Sequence, residues 1–128
     1  MGAAAAFCHD PLIVTILIVD DHPSFRASAR MVLEAEGFDV VGEAEDGLSA
    51  IAAAHELRPQ VVLLDVQLPD IDGFEVASRL TAEGDAPAIV LVSSRDGSDF
   101  GQLIADSGAC GFIAKAELSG ERISALLG

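Results

Sequence analysis

Val61-Val62-Leu63-Leu64-Asp65-Val66-Gln67-Leu68-Pro69-Asp70-Ile71-Asp72-Gly73 is the stretch whose reading decides the fold. An apolar run from Val61 to Leu64 with no polar alternation describes a strand buried on both faces, as in a parallel sheet covered by helices. The run ends abruptly in a carboxylate, Asp65, and a loop through Pro69 follows. The pattern recurs on either side. Thr15 to Val19 ends at Asp20 and Asp21, Ala88 to Val92 ends at Ser93, and Gly111 to Ala114 ends at Lys115. Asp39 to Ala44 is more polar, as an edge strand should be.

Helical patterns fill the gaps. Pro23 suits a first helical position, Phe25, Ala29, Val32 and Leu33 then share one face, and Gly37 stops the helix. Leu48, Ile51 and Ala52 give a second helix its apolar face, with Pro59 closing it. Gly73 opens a third helix, with Phe74, Ala77 and Leu80 inward. A fourth, around Phe100, Leu103 and Ile104, is weakened by Gly97 and Gly101. The fifth carries Ile123, Leu126 and Leu127. A β-α unit repeated five times predicts right-handed crossovers and an open, doubly wound α/β sheet. Such sheets bind ligands at the carboxyl ends of their strands, near the point where strand order reverses.

That rule gathers Asp20, Asp21, Asp65, Ser93 and Lys115 at one rim. Singly, each has an ordinary explanation: an acid after a strand is commonly a helix cap, and a lone lysine is commonly surface. Four adjacent strand ends carrying such groups are not explained by solubility. Three clustered carboxylates repel unless one is protonated or a cation binds. Only oxygen ligands are offered, and an open, partly hydrated site fits Mg²⁺, with Mn²⁺ as a substitute. Three carboxylates against one ammonium and a divalent cation leave a neutral site. A phosphoryl group entering it meets metal and ammonium already in place. Asp65 is then the nucleophile that forms an aspartyl phosphate, and the Ser93 hydroxyl can donate to a phosphoryl oxygen.

Composition narrows the function classes. The 128 residues carry 7 basic and 21 acidic side chains, a net charge of −14. That excess disfavours direct nucleic-acid binding and anionic membranes, and suits a divalent cation or a partner with a basic patch. Half of the chain is apolar, enough for one buried core. The longest apolar run, Leu12 to Val19, is too short to span a bilayer. Cys8 and Cys110 fall in no metal-ligand spacing and read as reduced thiols of a cytoplasmic protein. The expected division is an N-terminal extension over 1–13 and one domain over 14–128.

The stretches "ILIVDD", "VVLLDVQLPDIDG", "LVSS" and "GFIAK" resemble the receiver domain of two-component response regulators, from about Val14 to Leu127. The most specific part is Asp65 to Gly73. The resemblance implies a chemotaxis-receiver-like, flavodoxin-like (βα)5 three-layer sandwich with strand order 2-1-3-4-5. It implies Asp65 as phosphoacceptor, with Asp21 and Asp65 as direct metal ligands and Asp20 as a largely outer-sphere one. The backbone carbonyl of Gln67 becomes the third protein ligand. Ser93 matches the switch hydroxyl, Lys115 the lysine that pairs with acceptor and phosphoryl group, and Phe112 the aromatic that turns inward. The implied partners are a sensor histidine kinase or phosphotransfer protein and a downstream protein target, with a phosphorylation-dependent homodimer compatible with the family. The chain is expected to be no enzyme beyond its own phosphorylation and dephosphorylation.

There are departures. Ala116 follows Lys115 where many receivers have proline, as in many receivers of LuxR-type regulators, and Phe112 lacks a tyrosine hydroxyl. Gln67 and Arg95 stand where the family's side chains flank the phosphoryl group. The segment Ser94 to Gly111, with Gly97, Gly101 and Gly108, is expected to be the least stable, and the surface of the fourth helix, fifth strand and fifth helix to carry the output. A haloacid-dehalogenase-type Mg²⁺ phosphatase needs Asp-x-Asp after its first strand, whereas these aspartates are adjacent. Asp70-Ile71-Asp72 only faintly resembles a Ca²⁺ loop, no P-loop is present, and a flavin binder has no use for the acidic cluster. His9, His22 and His55 are scattered, and His22 reads as merely preceding a helix. Because the sequence ends where the fifth helix should end, a stand-alone receiver is expected, with the receiver part of a DNA-binding transcription regulator as the alternative.

Overall fold

The computed structural model describes residues 13–94 and 100–128. Five strands, β1 (Thr15–Val19), β2 (Asp39–Ala44), β3 (Val61–Asp65), β4 (Ala88–Ser93) and β5 (Gly111–Ala114), form one parallel sheet in the order β2-β1-β3-β4-β5. The helices are α1 (Pro23–Ala35), α2 (Gly47–Leu57), α3 (Gly73–Thr81), α4 (Gly101–Ser107) and α5 (Gly120–Leu127).

Successive strand residues point to opposite faces, and each face is covered. Leu17, Val19, Val62, Leu64, Ile89 and Leu91 pack with Ala50 and Ala54 of α2 and Val76, Ala77 and Leu80 of α3. Ile16, Ile18, Leu63, Val90 and Val92 pack with Ala29 and Leu33 of α1 and Ile123 of α5. Two helical layers around the sheet are why the strands read as unbroken apolar runs.

Local chemistry sets the helix ends. After α1, Gly37 takes φ +95°, its N–H bonds the Glu34 carbonyl, and the Phe38 N–H bonds the Leu33 carbonyl. This is the paired closure that glycine favours at a helix end. Asp46, Asp72 and Ser119 cap α2, α3 and α5 by accepting the N–H groups of Ser49, Glu75 and Arg122. Gly73 serves close approach instead: a Cβ there would overlap the Asp65 carbonyl oxygen and crowd Val66 Cα. Its N–H bonds the Val66 carbonyl at 2.7 Å, so α3 starts hard against the end of β3.

The inward faces need correction in places. In α2, Leu48 is 59% exposed and Ala52 is exposed, while Ala50 and Ala54 face the sheet. This helix is apolar on most sides, so its pattern selects no face, and small alanines allow the closest approach to the strands. Val32, Leu103 and Leu127 are also exposed, at the margins of their helices. Helix α4 is short, as its glycines imply, and ends at Gly108 with φ +84°. No peptide bond among the described residues is cis, and β5 runs directly into a 3₁₀ turn, Lys115–Glu117.

Candidate functional site

β1 lies between β2 and β3, with Val19 opposite Ala44 on one side and opposite Leu64 on the other. The chain therefore reverses its direction of winding here, and adjacent helices leave a cleft beyond the strand ends. Asp20 and Asp21 leave β1 into this cleft, and Asp65 closes β3 beside them. One ligand atom from each of Asp20, Asp21, His22 and Asp65 lies within 4.8 Å of the others.

The carboxylates differ in setting. Asp20 is fully buried, Asp65 is nearly so, and Asp21 is exposed. Asp20 Oδ1 accepts the backbone N–H of His22 at 2.8 Å and lies 3.1 Å from His22 Nδ1. Asp20 Oδ2 lies 2.6 Å from Lys115 Nζ, yet the approach is not that of a hydrogen bond, and this buried oxygen has no hydrogen-bond partner among the described residues. Asp65 Oδ1 accepts the Gln67 N–H at 3.2 Å, and Asp65 Oδ2 is 3.5 Å from Lys115 Nζ. Burial first, and then the Asp20 charge, push the Asp65 carboxyl up to about 6, against the opposing pull of Lys115 and the Gln67 N–H. A buried acid raised in this way and a neighbouring carboxylate oxygen without a donor both call for additional positive charge. Oxygen donors from three aspartates fit a hard divalent cation such as Mg²⁺.

The other residues singled out in the sequence fall around this cluster. Ser93 ends β4, is buried, and pairs across to Ala114, the residue before Lys115. Gln67 has an exposed side chain at the rim. Phe112 lies opposite Leu91 on the α2/α3/α4 side of the sheet. Its ring centroid is 5.9 Å from that of Phe100, which is 5.6 Å from that of Phe74. Three tilted rings thus run from β5 across the start of α4 to α3. Arg95, Gly97, Cys8 and His9 lie outside the described residues; Cys110 is exposed and free.

The contacts of four residues were not read from the sequence. Phe25 places its ring 4.5 Å beneath Lys115 Nζ. Arg26 donates from Nη1 to the Asp20 carbonyl at 2.5 Å and pairs with Glu43 at 3.0 Å. His22 stands between Asp20 and Asp21. Asp70 accepts the N–H groups of Gly47 at 2.7 Å and Leu48 at 2.9 Å, which hold its carboxyl down at about 2. Phe25 had the signal of an apolar face but none for its charged neighbour. The His22 contacts are local and follow from its place next to Asp20-Asp21, whereas those of Arg26 and Asp70 with β2 and α2 join segments whose proximity no spacing reveals. Asp70 and Asp72 both serve helix N-termini, which accounts for the calcium-loop likeness.

The model of the response regulator receiver domain family matches residues 16–127, and the chain belongs to that family. It is 38% identical over 110 residues to the virulence-factor transcription regulator BvgA of Bordetella pertussis, covering 86% of this chain and 53% of that protein. It is 32% identical over 110 residues to the DNA-binding transcriptional activator EvgA of Escherichia coli, covering 86% and 54%. The chain thus spans about half the length of these curated relatives. The signal receiver domain of the response regulator NarL from Mycobacterium tuberculosis superimposes with a TM-score of 0.82 at 30% identity, over 92% of this chain and 99% of that one. A LuxR-family two-component response regulator from Aurantimonas superimposes at 0.79, also at 30% identity, over 91% and 86%. The chain is a signalling receiver of the kind found in LuxR-type regulators, and none of its described helices is long and apolar enough to cross a membrane.

Proposed function

We propose that Asp65 is the phosphoacceptor of this receiver, and that its phosphorylation state is the signal the domain passes on. The observation that carries this reading is the position of the Asp65 carboxyl: buried at a strand end, beside Asp20, with Lys115 Nζ 3.5 Å away. An Asp65 oxygen forms a bond to phosphorus as the bond to the donor, a phosphohistidine or a small acyl phosphate, breaks and its electron pair leaves with the donor. Asp21, Asp65 and the Gln67 carbonyl would hold Mg²⁺ directly, with Asp20 largely outer-sphere. When bound, the cation supplies neutralising charge for the acceptor and for the phosphoryl oxygens. Lys115 moves its charge from the carboxylates to the incoming phosphoryl group, and the Ser93 hydroxyl donates to one of its oxygens.

The domain spans 14–128 in this reading, with residues 1–13 as an extension, and works in the cytoplasm opposite a sensor histidine kinase or phosphotransfer protein. Output passes through α4, β5 and α5, with a homodimer as one form it can take. The curated relatives are transcription regulators about twice as long, which favours a receiver joined to a DNA-binding part over a stand-alone one. Beryllofluoride tests the site: with Mg²⁺, fluorine NMR should show bound fluoride in the wild type and none in Asp65→Asn. Bound signals in that variant would remove Asp65 from the role.

A further inference from the structure

Among the described residues, His22 is the one imidazole in the cluster. Its Nδ1 lies 3.1 Å from Asp20 Oδ1 and 3.1 Å from Asp21 Oδ1, and these atoms share one volume with Asp65. Two atoms bound to a single ion at about 2.1 Å stand roughly 3.0 Å apart when cis in an octahedron and roughly 3.4 Å apart in a tetrahedron. The spacing, which without metal is that of a hydrogen bond from the ring, also fits neighbouring ligands on one metal. A second feature points the same way: Asp20 Oδ2, buried in the cleft 2.6 Å from Lys115 Nζ, has no hydrogen-bond partner among the described residues. The His22 ring is 65% exposed and can turn about its side-chain bonds without disturbing the core.

We propose that His22 is a ligand in this cation site, so that the cleft takes imidazole-accepting divalent transition ions, Zn²⁺, Ni²⁺, Co²⁺ and Cu²⁺, in a mode that Mg²⁺ does not use. The inference rests on the reading of the cleft as a cation site. Carboxylates alone suit Mg²⁺ and Mn²⁺, whereas an added imidazole favours the later first-row ions. Ligation uses the Nδ1 lone pair, so any proton on that atom leaves to solvent as the metal binds. Mg²⁺ keeps its waters and leaves the ring aside.

The test uses tag-free full chain carrying His9→Ala and His55→Ala, because His55 stands against Glu83 at 2.7 Å and could hold metal by itself. Mg²⁺, Ni²⁺ and Zn²⁺ are titrated separately by calorimetry into this protein and into the same protein with His22→Ala or His22→Asn. Loss of the ring should weaken Ni²⁺ and Zn²⁺ by about tenfold or more and change Mg²⁺ affinity less than about twofold. Pulsed EPR of bound Cu²⁺ should show imidazole nitrogen coupling that both His22 variants lose. Unchanged Ni²⁺ affinity, persistent nitrogen coupling, or an equal loss for Mg²⁺ and Ni²⁺ would each overturn the assignment while leaving a cation site in place. No binding of any ion to the parent would overturn the cation site itself.

Discussion

Lys115 rests against Asp20: its Nζ is 2.6 Å from Asp20 Oδ2 and 3.5 Å from Asp65 Oδ2, with the Phe25 ring 4.5 Å below. One ammonium thus balances two buried carboxylates and is steadied by an aromatic face. Lys115→Gln removes that balance. In metal-free protein near neutral pH it should cost about 3–5 kcal/mol in urea unfolding, the range for a broken buried ion pair. Added Mg²⁺ should recover more stability in the variant than in the wild type. A loss below about 0.5 kcal/mol, typical of a surface change, would mean the ammonium is not balancing the site.

The raised Asp65 carboxyl fixes the direction of a pH effect. Its folded value of about 6 exceeds the ordinary 3.8, so the folded state binds this proton more tightly than the unfolded chain. The contribution is fully present below pH 3.8 and is lost as pH rises through about 6. Metal-free wild type should therefore lose stability relative to Asp65→Asn across that window, as read by the difference in melting temperature. Mg²⁺ should reduce the difference above pH 6. A difference that is flat with pH would contradict the buried, cation-seeking carboxyl.

Gly73 ties α3 to the end of β3. A methyl group at this position meets the Asp65 carbonyl and Val66 Cα, both backbone. Gly73→Ala should cost about 2 kcal/mol as an overpacked contact and slow phosphorylation by acetyl phosphate, because Asp65 moves with its carbonyl. Gly84→Ala, with nothing within 4 Å of the added carbon, is the control and should leave the rate unchanged. Equal rates in the two variants would argue against the tie.

The rings of Phe74, Phe100 and Phe112 give a route from β5 to α4 and α3. Phe112→Leu retains much of the volume and removes the stacking. It should cost about 1 kcal/mol and reduce the hydrogen-exchange change that beryllofluoride causes in α4 and α5. Exchange changes confined to the loops around Asp21 and Asp65, in wild type and variant alike, would leave the route without a role.

Much of this was legible in the sequence because two-faced burial writes itself as unbroken apolar runs, and because strand ends carry chemistry. Residues 15–19, 39–44 and 111–114 emerge as strands with the expected bounds, while β3 and β4 each extend one residue further, into Asp65 and Ser93. The Val66 N–H, bonded to the Val92 carbonyl, holds that end of the sheet. The face of α2 was illegible because Ile51, Ala52, Ala53 and Ala54 make it apolar nearly all round. Asp70 reaches back 23 residues to the start of α2, and Arg26 reaches across to Glu43. Such contacts depend on how elements pack, and local spacing carries no trace of them.

Chemical mapping of the phosphoryl group tests the central claim most directly. Protein treated with acetyl phosphate and Mg²⁺ is reduced with borohydride, which converts an aspartyl phosphate to homoserine, and is then digested and sequenced by mass spectrometry. The account predicts homoserine at position 65 alone, dependent on Mg²⁺ and absent from Asp65→Asn. Homoserine at position 20 or 21 in the wild type, or stoichiometric labelling that leaves Asp65 intact, would contradict it.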